Sequence, residues 1–285
     1  MILLTGANGF LGKRVARQLT TANLLFTPTS RSLGVDLRNA EATRELFRRV
    51  RPTHVINCAA YVGGIQFGYK HPAELFRNNL LMTLNLLDAS HAEGVRRIVN
   101  PISNCAYPGQ ATLFREDEFW NGPLHESVLV YGFARKASWV GAWAYAKQYG
   151  LDVLNLIFSN MYGPEDHFEE ERSHALGAMV MKLVRAQREG LPEVVIWGTG
   201  QPVREWLHVD DGAERRDAVA LHGRAAGRHE DLGVQTQRGR DERHRGTVVA
   251  TAGCHETGRG DVVALGEHSV ERTARLEAAD VLHQL

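Results

Sequence analysis

Three glycines stand at positions 6, 9 and 12 in the run Thr5-Gly6-Ala7-Asn8-Gly9-Phe10-Leu11-Gly12, directly after the apolar run Met1 to Leu4 and before an amphipathic stretch. Their chemistry is the holding of phosphate. One glycine permits a tight strand-to-helix turn, a second lets the backbone approach a pyrophosphate, and a third lets the helix pack closely. The N-terminus of that helix aims unpaired N–H groups at the phosphates. Spacing alone is weak evidence, and a glycine-rich turn with no ligand is the plain alternative. Position strengthens the reading, because the turn lies at the first strand–helix junction of the chain. Gly6, Asn8, Gly9, Phe10, Leu11 and Gly12 are therefore candidate cofactor-binding residues.

Two further segments fit the same ligand. Asn57-Cys58-Ala59-Ala60 follows the third apolar run, and small side chains at Ala59 and Ala60 would let the chain skirt the adenosine half. Thr29-Ser30-Arg31-Ser32 follows the second, with no carboxylate at the strand end where one commonly grips the two ribose hydroxyls. Arg31 can instead meet a 2′-phosphate, which favours NADP(H) over NAD. Asp36 and Leu37, in Val35-Asp36-Leu37, read as the segment that touches the adenine edge.

The elements that must position these groups are legible from periodicity. Up to about residue 159, short apolar runs alternate with amphipathic stretches of helical length, which predicts successive βα units and a doubly wound parallel sheet. Strands are expected over 2–5, 24–27, 54–59, 97–102 and 153–158, and helices over 10–19, 40–50, 72–93 and 130–149. Beyond Tyr162-Gly163-Pro164 a helix is expected over 173–188 and a strand over 194–197. The predicted organisation is a dinucleotide-binding α/β domain over 1–160 and a smaller substrate-binding subdomain over 161–211.

From 212 to 285 the pattern changes. No Phe, Tyr or Trp follows Trp206, and Gly, Arg and His are frequent. Loss of the amphipathic period with Ala, Arg and Gly retained is what a displaced frame of a GC-rich gene would give; a divergent but genuine ending is the alternative. Asp231-Leu232-Gly233-Val234 is a faint echo of a core strand.

Composition narrows the function classes. The chain has 285 residues, 44% hydrophobic, with 33 Lys and Arg balancing 33 Asp and Glu. Such a chain can bury a sizeable core, and no global field steers it to nucleic acid or an anionic membrane. Cys58, Cys105 and Cys254 are too few and scattered for a disulfide framework or zinc site, which fits a reducing compartment. No apolar run approaches the roughly 20 residues that span a bilayer, so a cytoplasmic location is expected. Glu165, Asp166 and the acidic run 169–171 read as a solvated loop, and no metal is expected.

Several motifs together carry a resemblance. They are Ala59-Ala60-Tyr61-Val62-Gly63-Gly64-Ile65, Ser103-Asn104-Cys105-Ala106-Tyr107-Pro108, Tyr131, Asn160-Met161-Tyr162-Gly163-Pro164, Ser173-His174 and the run from Val195 through Trp197, Arg204 and His208 to Asp211. On these, residues 1 to about 211 resemble the extended short-chain dehydrogenase/reductase family. Within it they resemble the branch of 3,5-epimerase/4-reductases acting on GDP-linked 4-keto-6-deoxyhexoses.

The resemblance implies roles that chemistry can check. Reducing a 4-keto sugar needs a hydride from the nicotinamide and a proton for the developing alkoxide, and a Tyr hydroxyl supplies it if nearby positive charge lowers its pKa. Tyr131 is the implied donor. Ser103 would hydrogen-bond the same oxygen, although a serine at a strand end is by itself commonly a turn residue. Epimerisation beside the ketone needs an acid/base pair flanking the ring, and Cys105 and His174 match the family's pair. Taken singly, a buried Cys and a helix-start His have blander readings.

One departure bears on rate. The family pattern is Tyr-x-x-x-Lys, but Arg135 occupies the fourth position after Tyr131 and Lys136 the fifth. Positions i and i+4 share a helix face, whereas i+5 lies roughly 140° around. Arg135 can lower the Tyr131 pKa and touch the ribose, but it stays protonated and cannot relay a proton. Both residues remain candidates.

At the substrate end, Arg204 and Lys182 match the positions that bind the diphosphate, Trp197 offers an apolar wall, and Asn160 orients the substrate or the tyrosine-bearing helix. Lys182 equally suits a solvated helix face. The family forms dimers through the helices expected over 72–93 and 130–149, which implies a homodimer. The leading expectation is therefore an NADP-dependent 3,5-epimerase/4-reductase of a GDP-4-keto-6-deoxyhexose. Its rivals are a 4-epimerase or 4-ketoreductase on another nucleotide sugar, and a catalytically silent NADP-binding protein, the last motivated by Arg135 and the atypical ending.

Overall fold

The computed structural model describes residues 1–169, 172–197, 204–214, 249–251 and 273–277. Its centre is a parallel sheet of β1 (Ile2–Thr5), β2 (Phe26–Thr29), β3 (His54–Asn57), β4 (Arg97–Ser103), β5 (Asp152–Phe158) and β9 (Val249–Thr251), in the spatial order β2-β1-β3-β4-β5-β9. The helices α1 (Phe10–Thr21), α2 (Ala40–Val50), α4 (Pro72–Ala92) and α5 (Leu129–Tyr149) form the crossovers, and a short α3 (Ile65–Lys70) precedes α4. The doubly wound α/β expectation holds.

Alternation along the strands explains the layering, since successive strand residues face opposite sides of a sheet. Leu3, Val55, Ile98 and Val153 point to one side and pack with Leu46, Phe47, Leu86, Leu87 and Ala142 of α2, α4 and α5. Ile2, Leu4, Ile56, Val99 and Leu156 point to the other side, against Val15 and Leu19 of α1. Both faces are covered, so the strands read as nearly continuous apolar runs.

A polar chain crosses this core. The Thr5 hydroxyl donates to Asn57 Oδ1 (2.7 Å), Asn57 Nδ2 to Asn100 Oδ1 (3.3 Å), and Asn100 Nδ2 to both Asn155 Oδ1 (2.8 Å) and the Ser138 hydroxyl (3.1 Å). It links β1, β3, β4 and β5 to one another and to α5.

Two strands depart from the expected bounds by two residues, and β4, β5 and the strand Glu193–Trp197 by one. β2 starts at Phe26 and runs to Thr29, because Leu24 is still tied back to α1 through its N–H to the Leu19 carbonyl (2.9 Å) and Leu25 is exposed. Pro28 is tolerated inside β2 because this is an edge strand, paired only with β1. β3 ends at Asn57, where Cys58 donates its N–H to the Thr5 carbonyl (3.1 Å) and the chain turns toward the glycine loop.

Beyond β5, β6 (Asn160–Tyr162) pairs in parallel with β8 (Trp206–His208), which leads into α7 (Val209–Ala213). The helix α6 (Ala175–Glu189) is followed by β7 (Glu193–Trp197), paired antiparallel with β10 (Thr273–Glu277). Residues 170–171, 198–203 and most of the stretch after 214 lie outside the described residues, including the strand echo at 231–234. No helix among the described residues is long and apolar enough to cross a membrane.

Candidate active site

In a parallel sheet of this winding, ligands bind outside the carboxyl ends of the strands. Here those ends carry Thr5 and the glycine turn (β1), Thr29 and Arg31 (β2), Asn57 to Ala60 (β3), Ser103 and Cys105 (β4) and Phe158 leading to Asn160 (β5).

The glycine turn leaves no room for side chains. Gly6 takes φ +65°, and a Cβ there would lie 2.5 Å from the Cys58 carbonyl carbon and oxygen. A Cβ on Gly12 would stand 2.0 Å from the Gly6 carbonyl oxygen, so α1 packs directly on the turn. Gly9 caps α1, is exposed, and would bring a Cβ no closer than 3.1 Å to its one near neighbour, the Gly6 oxygen. The turn thus has one open side, at the helix N-terminus, as a pyrophosphate cradle requires. Asn8 is exposed and its Nδ2 donates to the Ser32 hydroxyl (2.8 Å), joining the turn to the loop after β2. Phe10 and Leu11 open α1 and are half-buried.

Arg31 begins a short 3₁₀ turn capped by the Ser30 hydroxyl and is exposed beside this loop. Asp36 is gripped by Arg38, whose Nε donates to both carboxylate oxygens (2.9 and 3.0 Å); that bond, with the added charge of Arg31, holds the Asp36 carboxyl below its usual range. Leu37 lies in the segment expected to touch the adenine edge. It is a core residue, and its carbonyl accepts from Thr43 and Asn85, so what it can offer a ligand is backbone. Ala59 and Ala60 follow β3, Ala59 with its N–H on Asn57 Oδ1 (3.3 Å).

Ser103 closes β4, and its hydroxyl caps the following 3₁₀ turn by accepting the Cys105 N–H (3.2 Å). That turn abuts the first turn of α5. A Cβ on Gly132 would lie 2.3 Å from the Cys105 carbonyl oxygen, so glycine next to Tyr131 is what lets the two meet. Tyr131 is half-buried; burial pushes its phenol pKa up, with Arg135 acting in the opposite direction and Cys105 adding to the rise.

The two candidate cations part company. Arg135 is 4% exposed, its guanidinium lies 5.2 Å from the Tyr131 ring centroid, and its Nη2 donates to Asn79 Oδ1 (2.6 Å). Lys136 faces elsewhere. Its Nζ donates to the Phe119 carbonyl (2.6 Å) and sits over the Phe119 and Trp120 rings at 4.8 and 4.6 Å. Burial in that aromatic cage lowers its pKa. The helix is regular here, so the fifth position points away from the tyrosine.

Asn79 was not singled out in the sequence. It is buried in α4, accepts the Tyr61 N–H (3.0 Å) as well as Arg135, and donates to the Tyr61 and Leu75 carbonyls (both 2.8 Å). It therefore fixes the loop after β3 and the guanidinium together. The available signal was an asparagine on the inward face of an apolar helix, which must find partners when buried.

The reading as a solvated loop is corrected for Asp166, which is buried, while Glu165 stays exposed but is tied down. Glu165, at φ +67°, accepts from Lys13 (2.8 Å), Arg14 (2.9 Å) and Arg17 (3.1 Å), and the first two draw its carboxyl down to about 2. Arg14 is itself buried, reaching Asp210 (3.1 Å) and the Pro164 carbonyl (2.5 Å) as well. The glycine-turn helix is thus bolted to the loop after β6 and to α7. Asp166 is buried with its carboxylate 3.8 Å from His174 Nδ1, and His174 caps α6.

On the substrate side, Asn160 donates to the Glu205 carbonyl (3.2 Å), which ties β6 to the segment carrying the exposed Arg204. Lys182 lies on α6 with its Nζ on the Val195 carbonyl (3.0 Å). The Trp197 backbone is in β7, paired with Thr273; its side chain lies outside what is described.

Fold and site define a dinucleotide-binding α/β protein with hydroxyl, thiol and phenol groups gathered at the carboxyl edge of its sheet. A family model described as NAD dependent epimerase/dehydratase matches residues 2–233, and the chain belongs to that family. It is 33% identical over 215 residues to the probable GDP-L-fucose synthase 1 of Oryza sativa subsp. japonica, covering 75% of this chain and 66% of that protein. It is 31% identical over 222 residues to the GDP-L-fucose synthase of Escherichia coli (strain K12), covering 78% and 68%. The crystal structure of a GDP-L-fucose synthetase from Naegleria fowleri bound to NADP is similar at a TM-score of 0.68 and 29% identity, over 77% of this chain and 72% of that one. The chain spans about two thirds of the length of these curated relatives.

Proposed function

We propose that this protein is an NADP(H)-dependent epimerase/reductase of a nucleotide-linked 4-keto-6-deoxyhexose, with GDP-4-keto-6-deoxymannose as substrate and GDP-L-fucose as product. The observation that carries the reading is the meeting of Ser103, Cys105 and Tyr131 at the end of β4, on the same sheet edge as the glycine turn. The names of the relatives supply the sugar nucleotide.

When bound, the reduced nicotinamide supplies the hydride for the ketone carbon. Tyr131 then gives its phenolic proton to the ketone oxygen, and the Ser103 hydroxyl donates a hydrogen bond to the same oxygen as charge develops. Arg135 lies against the Tyr131 ring and stabilises the phenolate left behind. Because an arginine keeps its proton, the phenolate is refilled from solvent rather than from that side chain. Before reduction, Cys105 and His174 exchange protons at the carbons flanking the ketone, one removing a proton and the other returning one to the opposite face. Arg204 and Lys182 hold the diphosphate, with Trp197 as an apolar wall and Asn160 setting the substrate loop. Gly6, Gly9 and Gly12 hold the cofactor pyrophosphate, and Arg31 its 2′-phosphate.

A homodimer through α4 and α5 belongs to the same reading. The two helices pack on each other and leave Phe76, Leu84, Phe133, Val140 and Trp143 exposed, an apolar surface suited to a second copy.

The test is NADPH absorbance on mixing the protein with NADPH and GDP-4-keto-6-deoxymannose, with the product's stereochemistry read by NMR. Oxidation yielding GDP-L-fucose is expected. Interconversion of UDP- or dTDP-hexoses without net NADPH consumption would replace the reading with a 4-epimerase, and tight NADPH binding without turnover would replace it with a silent binding protein.

A further inference from the structure

The loop after β6 ends in a buried carboxylate. Asp166 has a side chain only 3% exposed, and its Oδ1 accepts the His167 N–H at 2.7 Å. Its position is held from both sides. Glu165, immediately before it, is clamped by Lys13, Arg14 and Arg17 of α1. On the α6 side, Gly177 leaves room for the Ser173 hydroxyl, 3.0 Å from where a Cβ would stand, and Asp166 Oδ2 lies at ordinary contact distance from the same point (3.7 Å).

His174 stands opposite. Its Nδ1 is buried and without a hydrogen-bond partner, 3.8 Å from Asp166 Oδ1, while the side chain as a whole keeps 37% of its surface open. The backbone is fixed by the Ser173 hydroxyl, which donates to the His174 carbonyl (3.2 Å). Among the described residues of this loop, His167 faces Glu169 at 3.5 Å, the Arg172 guanidinium lies 5.9 Å from the Phe67 ring centroid, and the α1 cations face Glu165. A buried imidazole nitrogen beside a buried carboxylate has one satisfying arrangement, Nδ1–H donated to Oδ1, reached by a small rotation of the ring.

We propose that Asp166 is the positioning residue for His174, holding neutral imidazole in its Nδ1–H tautomer so that the Nε2 lone pair faces the substrate cleft. This deepens the functional reading above and rests on it for the identity of the proton exchanged. Nε2 accepts the proton from the carbon beside the ketone, its electron pair passes into the enolate, and Asp166 stabilises the resulting imidazolium. Return of a proton from Cys105 to the other face completes the exchange.

The test has two readouts. Long-range ¹H–¹⁵N correlation spectra of the full chain, with His174→Asn to assign the ring, report the tautomer without any substrate. The expected result is Nδ1–H in the wild type and a shift toward Nε2–H in Asp166→Asn, whose amide can donate to Nδ1. Nε2–H in the wild type, or one tautomer unchanged by the substitution, overturns the proposal. In D₂O with GDP-4-keto-6-deoxymannose, Asp166→Asn should slow deuterium entry beside the ketone by at least about tenfold. The Kd for NADPH should stay unchanged and Asp166→Glu should restore part of the rate. An Nδ1–H tautomer in a wild-type protein that exchanges no deuterium would leave the dyad standing and defeat the epimerase reading instead.

Discussion

Replacing Arg135 by Met tests the catalytic arrangement most directly. The guanidinium carbon lies 5.2 Å from the Tyr131 ring centroid in a buried setting. A unit charge at that distance, with an effective dielectric constant of about 20, stabilises a phenolate by about 3 kcal/mol. If the phenolate is fully formed in the transition state, its loss slows reduction by roughly 10²-fold, and if half formed by roughly tenfold. Methionine keeps most of the side-chain stem and so limits the cavity, but the bond from Nη2 to Asn79 goes, at about 1.5–3 kcal/mol for a charged hydrogen bond. Thermal unfolding therefore has to accompany the kinetics. The assay is single-turnover NADPH oxidation under saturating GDP-4-keto-6-deoxymannose, with Lys136→Met in parallel. Lys136→Met should lower stability, because it removes the ammonium from the Phe119 and Trp120 rings and leaves the Phe119 carbonyl without its donor, yet leave the single-turnover rate near wild type. Equal losses in the two variants, or full turnover by folded Arg135→Met, would refute the assignment.

Gly12→Ala places a Cβ 2.0 Å from the Gly6 carbonyl, and relief of such overpacking at about 1–3 kcal/mol should raise the NADPH Kd roughly 10- to 100-fold in a titration of cofactor fluorescence. Arg31→Glu should weaken NADPH roughly 10- to 100-fold while changing NADH little; equal losses for both would remove the 2′-phosphate contact. Glu165, drawn from 4.5 to about 2 by Lys13 and Arg14, contributes stability that is complete above its unfolded value and is lost as pH falls toward 2. Melting temperatures of wild type and Glu165→Gln should therefore converge between about pH 4.5 and pH 2, and curves that stay parallel across that window would refute the assignment.

What the sequence disclosed, and what it withheld, divides along physical lines. The alternation of apolar residues in β1, β3, β4 and β5 located both faces of the sheet, because burial of every second side chain on each side is what the pattern records. The glycine turn was equally legible, since two of its positions admit no Cβ at all. The place of β2, with Pro28 inside the strand, was not, because an edge position is decided by strand order rather than by local sequence. Leu37 lies in the segment expected at the adenine edge while its side chain belongs to the core, a division between backbone and side chain that one letter cannot resolve. Glu165 is exposed as expected, whereas Asp166 is buried, and local sequence shows neither of them as paired. Their partners, Lys13, Arg14, Arg17 and His174, are brought to them only by the fold. Arg135 and Lys136 were separable by helix geometry, but Asn79, which anchors the guanidinium, lies 56 positions away.

The polar chain through the core has a kinetic consequence. Its links join residues 52, 43, 55 and 38 positions apart, so none of them forms until a large loop has closed. Loop closure is entropically unfavourable until contacts offset it, and a sheet of parallel strands delays that compensation. Asn100 sits at the junction of three of these links, so its side chain is satisfied only when β3, β4, β5 and α5 are all in register. A one-residue slip of a strand would turn that amide to the opposite face among apolar side chains, at a cost of about 1–3 kcal/mol. The chain of buried amides thus stabilises the register that brings the four carboxyl ends level at one edge, because a one-residue slip leaves buried polar groups unpaired.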